Sequence, residues 1–141
     1  MGQYYKIVNL TKKQYLHPHA FGDGIKLLEF GSNGCGTMCA LAILLSDGNG
    51  RGGGDLHTKR KEGLIGSWAG DKIVVTGDYA DAGRFNFGEK NLYDTVKSRR
   101  FKDISKAIIR IMCQDEYIKQ ELRKATDWRQ NKDLPKILQH K

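Results

Sequence analysis

Between Cys35 and Leu45 the chain is apolar on every side, with Met38, Ala40, Leu41, Ala42, Ile43, Leu44 and Leu45, and it runs at once into Asp47–Asp55, where five of nine residues are glycine. Alanines and leucines in a run of that length favour a buried helix over a strand. The glycine-rich stretch cannot continue it, because the entropy of a glycine backbone opposes any regular element. A central helix over 35–45, stopped by a loop over 47–55, is the frame on which the remaining segments must pack.

Those segments alternate between extended and helical patterns. Tyr4–Leu10 is aromatic and β-branched, and Gln14–Leu16 before Pro18 is pushed towards extended backbone, so the two predict a strand, a turn and a returning strand. Phe21–Gly24 reads as a loop and Ile25–Gly31 as a short helix ending on a glycine cap. Leu64–Trp68 and Lys72–Thr76 predict a second hairpin, turned at Ala69–Asp71. Gly77–Gly83 reads as an irregular acidic segment. Beyond Asn91 the period becomes helical: 91–97 predicts a short helix, and Ile104, Ile108, Ile111 and Met112 share one face behind an Asp103 cap. Ile118, Leu122 and Ala125 extend that face or begin another helix, and 134–138 forms a final turn in a tail that frays.

The expected fold is α+β: a small antiparallel sheet, made of the N-terminal hairpin and a 64–76 hairpin, packed against a buried helix 35–45 and the C-terminal helices. With 141 residues, a single domain over 1–141 is expected, carrying a basic helical part at 91–128 and a frayed tail at 129–141. Cys35, Cys39 and Cys113 are an odd number without a hydrophobic leader, which predicts a reducing, cytoplasmic setting. The longest apolar stretch, Ala40–Leu45, is far shorter than the ~20 residues that cross a bilayer, so no membrane partner is expected.

Net charge is +8 and unevenly spread. Residues 1–90 hold 11 Lys/Arg against 9 Asp/Glu, whereas residues 91–141 hold 13 against 7. That imbalance points to an anionic partner for the C-terminal third. Within it, Lys97, Arg99, Arg100, Phe101 and Lys102 set an aromatic among cations, a pattern suited to gripping phosphate while a ring stacks. Solvated cations on a helical surface explain the same residues, as they do the run Lys59-Arg60-Lys61.

Chemistry is harder to find. Gly50, Arg51, Gly52 and Gly53 offer backbone amides that cradle a phosphate, although the Gly-Lys-Ser/Thr ending of a P-loop is missing and a mobile surface loop accounts for them equally. Asp47 and Asn49 open like a calcium loop, but Arg51 falls on a ligand position and Thr58 replaces the closing glutamate. Cys35 and Cys39 lack the second pair that a structural zinc site wants, so no metal and no cofactor are expected. Acid/base chemistry would have to come from Asp55, His57, Asp71 and Asp78, should the fold bring them together; aspartate beside glycine is also ordinary turn chemistry.

Three functions remain open. The first is a non-catalytic binding protein that docks on a macromolecule, protein or nucleic acid, as an inhibitor or accessory factor. The second is a nucleotide- or phosphate-ligand protein or hydrolase with its site between 47–57 and 71–81. The third is a nucleic-acid binder that uses the basic C-terminal helices.

Overall fold

The N-terminal hairpin forms as its pattern requires and organises the sheet. In the computed structural model, which describes residues 3–56, 63–85, 90–97, 100–127 and 136–139, β1 (Tyr5–Asn9) turns through 10–13 into β2 (Gln14–Leu16). They pair antiparallel, Ile7 opposite Leu16 and Val8 opposite Tyr15. On the other side of β1 lies β3 (Ile73–Gly77), also antiparallel, with Lys6 opposite Thr76. The sheet order is β3-β1-β2-β4, where β4 is the two-residue strand Lys102–Asp103 running parallel to β2. The sheet is therefore mixed, not purely antiparallel. A strand so short and exposed leaves no periodic trace in the sequence.

Alternation along β1 puts Ile7 on one face of the sheet and Val8 on the other. Ile7 and Leu16 join the main core with Phe21, Ala40, Leu44, Trp68, Ile108 and Leu122. Val8 belongs to a smaller cluster with Leu92, Val96 and Phe101, beneath α2 (Leu92–Lys97). The main core is covered by α1 (Thr37–Leu45), α3 (Ser105–Met112) and α4 (Glu116–Ala125). Ile104, Ile108, Ile111 and Met112 are all buried, as their spacing predicts. The helical periodicity after Asp103 resolves into two helices, with Asp115 capping the second through Tyr117 N–H at 3.0 Å. Asp103 caps the first from one residue further out, accepting from Ser105 N–H at 2.9 Å.

Three expectations fail for identifiable reasons. The 64–76 hairpin does not exist: residues 63–70 are a chain of turns, and only 73–77 is a strand. The N–H groups of Gly66 and Trp68 donate to the carbonyls of Ile43 and Leu44, at 3.0 and 2.9 Å. A helix leaves its last carbonyls unpartnered, and this segment is recruited to satisfy them rather than to form a ladder. The 25–31 helix shrinks to a single 3-10 turn at Leu27–Glu29, with Leu28 95% exposed. Helix α1 is buried on one side only, through Thr37, Ala40, Ile43 and Leu44, while Met38 and Leu45 face outward.

Within the tail, the 3-10 turn Lys136–Leu138 is docked rather than frayed. Leu138 is fully buried, and Gln139 C=O accepts from the Arg123 guanidinium at 3.3 Å. Among the described residues no helix is long and apolar enough to cross a membrane.

Candidate functional site

The glycine-rich loop does form a nest of amides, but it already holds an anion. Asp55 Oδ2 accepts from the N–H groups of Gly50, Arg51 and Gly52, at 2.8, 2.9 and 3.1 Å. Gly50 carries φ +94°, a left-handed backbone that lets consecutive amides point inward. The Asn49 side chain pins the loop's end, accepting from Leu56 N–H at 2.9 Å and donating to Leu56 C=O at 3.2 Å. A phosphate would have to displace Asp55 before reaching those amides, and Gly53 is exposed at the loop's outer edge.

The carboxylates proposed for acid/base work do not converge. Asp71 and Asp78 flank β3 at its opposite ends, beside the Asn9–Ile73 and Tyr5–Gly77 pairs respectively. Asp78 closes the β1–β3 ladder, accepting from Tyr4 N–H at 2.9 Å. Asp71 accepts from Asn9 Nδ2 at 2.8 Å and from Lys12 Nζ at 2.6 Å. His57 lies outside the described residues.

The hydrogen bonds from Asn9 and then Lys12 hold the Asp71 carboxyl below its ordinary 3.8. A depressed carboxylate contributes stability that is complete above its unfolded value and is lost as pH falls through the native one. The stability difference between the wild type and Asp71→Asn, measured by urea unfolding, is therefore expected to shrink as pH falls below about 5. An unchanged difference would show that the Asp71 contacts carry no charge-dependent stability.

Both Cys35 and Cys39 have raised thiol pKa values, chiefly through burial, and Cys113 is pushed up to about 11 by burial. None has the lowered pKa of an activated nucleophile. Among the described residues no group of three potential ligands is placed to hold a metal.

The basic run at 97–102 is divided by the fold. Lys97 stays with α2, its ammonium 5.0 Å from the centre of the Tyr93 ring. That ring also faces the buried Lys6 at 4.4 Å; burial, then Lys97, lowers the pKa of Lys6. Phe101 is 5% exposed within the smaller core, so its ring is not presented for stacking. Arg99 lies outside the described residues, as does Lys59-Arg60-Lys61.

Arg100 and Lys102 are both exposed, and Lys102 goes to the turn end of the hairpin. Lys102 N–H donates to Lys13 C=O at 2.9 Å, which sets β4 beside the hairpin turn. From the other side, Lys72 N–H donates to Thr11 Oγ1 at 3.1 Å and Leu10 N–H to Lys72 C=O at 2.9 Å. Lys12, Lys13, Lys72 and Lys102 are thus exposed around one end of the sheet, where Asp71 and Asp103 are the opposing charges. Lys13 has φ +54°, a conformation that costs a non-glycine residue on the order of 1 kcal/mol. Lys12, Lys13 and Lys72 carry no signal in sequence, because single lysines in turns are ordinary. Only strand pairing brings them to Lys102.

No family model, curated protein or solved structure matches the chain.

Proposed function

We propose that this protein is a small, non-catalytic binding protein that docks on a polyanionic macromolecule, with nucleic acid as the partner its charge fits best. The observation that carries this reading is the gathering of Lys12, Lys13, Lys72 and Lys102 from three separate parts of the chain at one end of the sheet. Clustered exposed cations bind phosphates and release counterions, which supplies affinity without base recognition. Burial of Phe101 removes the stacking platform that single-strand binders use, so contact is expected to run through the backbone of the nucleic acid. The separation of Asp71 from Asp78 and the engagement of Asp55 within its own loop support a non-catalytic role.

Binding of labelled duplex and single-stranded oligonucleotides, followed by fluorescence anisotropy across a salt series, tests the proposal. Each neutralised phosphate contributes a slope of about −0.9 to log K against log salt, so about four contacts give a slope near −3.6. The pair Lys13→Asn and Lys102→Gln is expected to reduce that slope by about 2 and to weaken binding by about tenfold or more. Asparagine tolerates the left-handed backbone at residue 13 better than lysine, so the fold is not put at risk. Binding that ignores salt, or is untouched by the pair, would refute the reading.

A further inference from the structure

A second site, sharing no residue with the basic sheet end, lies where α1, the glycine loop and the start of α4 surround a cavity of about 400 Å³. Its apolar walls come from Ala42, Ile43, Leu56 and Ile118, and its polar groups include the carboxylates of Asp55 and Asp115. No lysine or arginine lines it among the described residues, although the chain as a whole carries +8. Tyr117 also lines it while remaining 68% exposed, an aromatic ring held in solvent beside an acidic, apolar hollow.

We propose that this cavity binds a small organic cation, an ammonium group on an apolar body, independently of the polyanion site. A volume within the usual range for ligand pockets, apolar walls and a few polar groups that fix orientation are what such sites require. The ammonium meets Asp115 and the face of Tyr117, since aromatic rings and carboxylates together recognise alkylammonium ions. The charges felt by the two thiols here are carboxylates: after burial, Glu121 and Asp115 raise Cys35, and Asp115, behind burial and Cys35, raises Cys39. Both carboxylates also hold the walls, Asp55 through its Oδ2 on the loop amides and Asp115 through its Oδ1 on the Tyr117 and Ile118 amides; Asp115 is the anchor proposed, because it stands beside the Tyr117 ring.

The test is calorimetric titration of the full chain with benzylamine, phenethylamine and phenylbutylamine, each beside its neutral alcohol. At least one amine is expected to bind about tenfold more tightly than its alcohol, since 1.4 kcal/mol of charge recognition suffices for that ratio. Asp115→Asn keeps a good helix cap while removing the charge, and is expected to abolish the preference for amine. Tyr117→Ala alters an exposed ring and is expected to weaken the amine about threefold. Lys13→Asn with Lys102→Gln should leave amine binding unchanged, which separates this site from the proposed polyanion surface. Equal affinity for amine and alcohol, amine binding that ignores both Asp115→Asn and Tyr117→Ala, or no saturable binding of any amine would each overturn the proposal.

Discussion

Replacing Trp68 by alanine is expected to lower the free energy of unfolding by about 3 to 5 kcal/mol, the range for deleting a large aromatic from a packed core. Trp68 has no exposed surface, yet it sits in a run of turns rather than in a helix or strand. Its backbone N–H donates to the end of α1 at Leu44, and its indole Nε1–H donates to Gln14 Oε1 on β2 at 2.7 Å. One residue therefore joins the helix C-terminus, the main core and the sheet. Trp68→Phe keeps most of the ring but leaves the Gln14 oxygen without that donor, and is expected to cost about 1 to 2 kcal/mol beyond the lost volume. Urea unfolding at a single pH measures both. A loss under about 1 kcal/mol for the alanine variant would mean that Trp68 is not a core residue. Since small domains are stable by only ~5–15 kcal/mol, the larger figure brings the fold near its threshold.

The same residue shows where sequence reading stops. Leu64–Trp68 has the composition of a strand, and alternation with a nearby β-branched run makes a hairpin the local optimum. What overrides it is non-local: the Ile43 and Leu44 carbonyls at the end of α1 accept from Gly66 and Trp68, the former alongside Ser46. By contrast, the faces of α3 and α4 were legible because helix periodicity is set by side chains within a few residues of one another. The N-terminal hairpin was legible for a similar reason, its turn being closed locally by Lys12 N–H donating to Asn9 Oδ1 at 2.8 Å.

The candidate surfaces follow the same division. The anion-cradling geometry of the glycine loop could be read from Gly50, Arg51 and Gly52, but the occupant, Asp55, is a turn aspartate with no distinguishing pattern. A run of cations at 97–102 was visible, whereas its division between Lys97 at the Tyr93 ring and Lys102 at the hairpin turn depends on the parallel β2–β4 pairing. Parallel pairs need long crossovers, and nothing local in the 16–102 interval announces one. The partners of Lys102 in the basic cluster, Lys13 and Lys72, were therefore invisible.

Asp23→Ala is expected to cost about 3 to 4 kcal/mol, because it leaves two backbone amides of the α1 entry without an acceptor, at roughly 1 to 3 kcal/mol each when buried. Asp23 is 1% exposed, and its carboxylate accepts from Asn33 N–H and Thr37 N–H, both at 2.7 Å, and from the Ser32 hydroxyl at 3.0 Å. The residue at the helix cap position, Gly36, has no side chain with which to cap. A Cβ there would overlap Asp23 Oδ2, so a larger residue at 36 would push against the capping carboxylate. The cap is thus supplied from fourteen residues away, and the carboxylate also meets the positive end of the α1 dipole. Asp23→Asn retains one acceptor oxygen and loses the charge, so its cost should fall between those of the wild type and the alanine variant. Because Cys35 and Cys39 sit at this end of α1, loosening it should also speed their alkylation by iodoacetamide in Asp23→Ala under native conditions. Equal stability of Asp23→Ala and the wild type, measured by urea unfolding, would show that Gly36 and water suffice to start the helix.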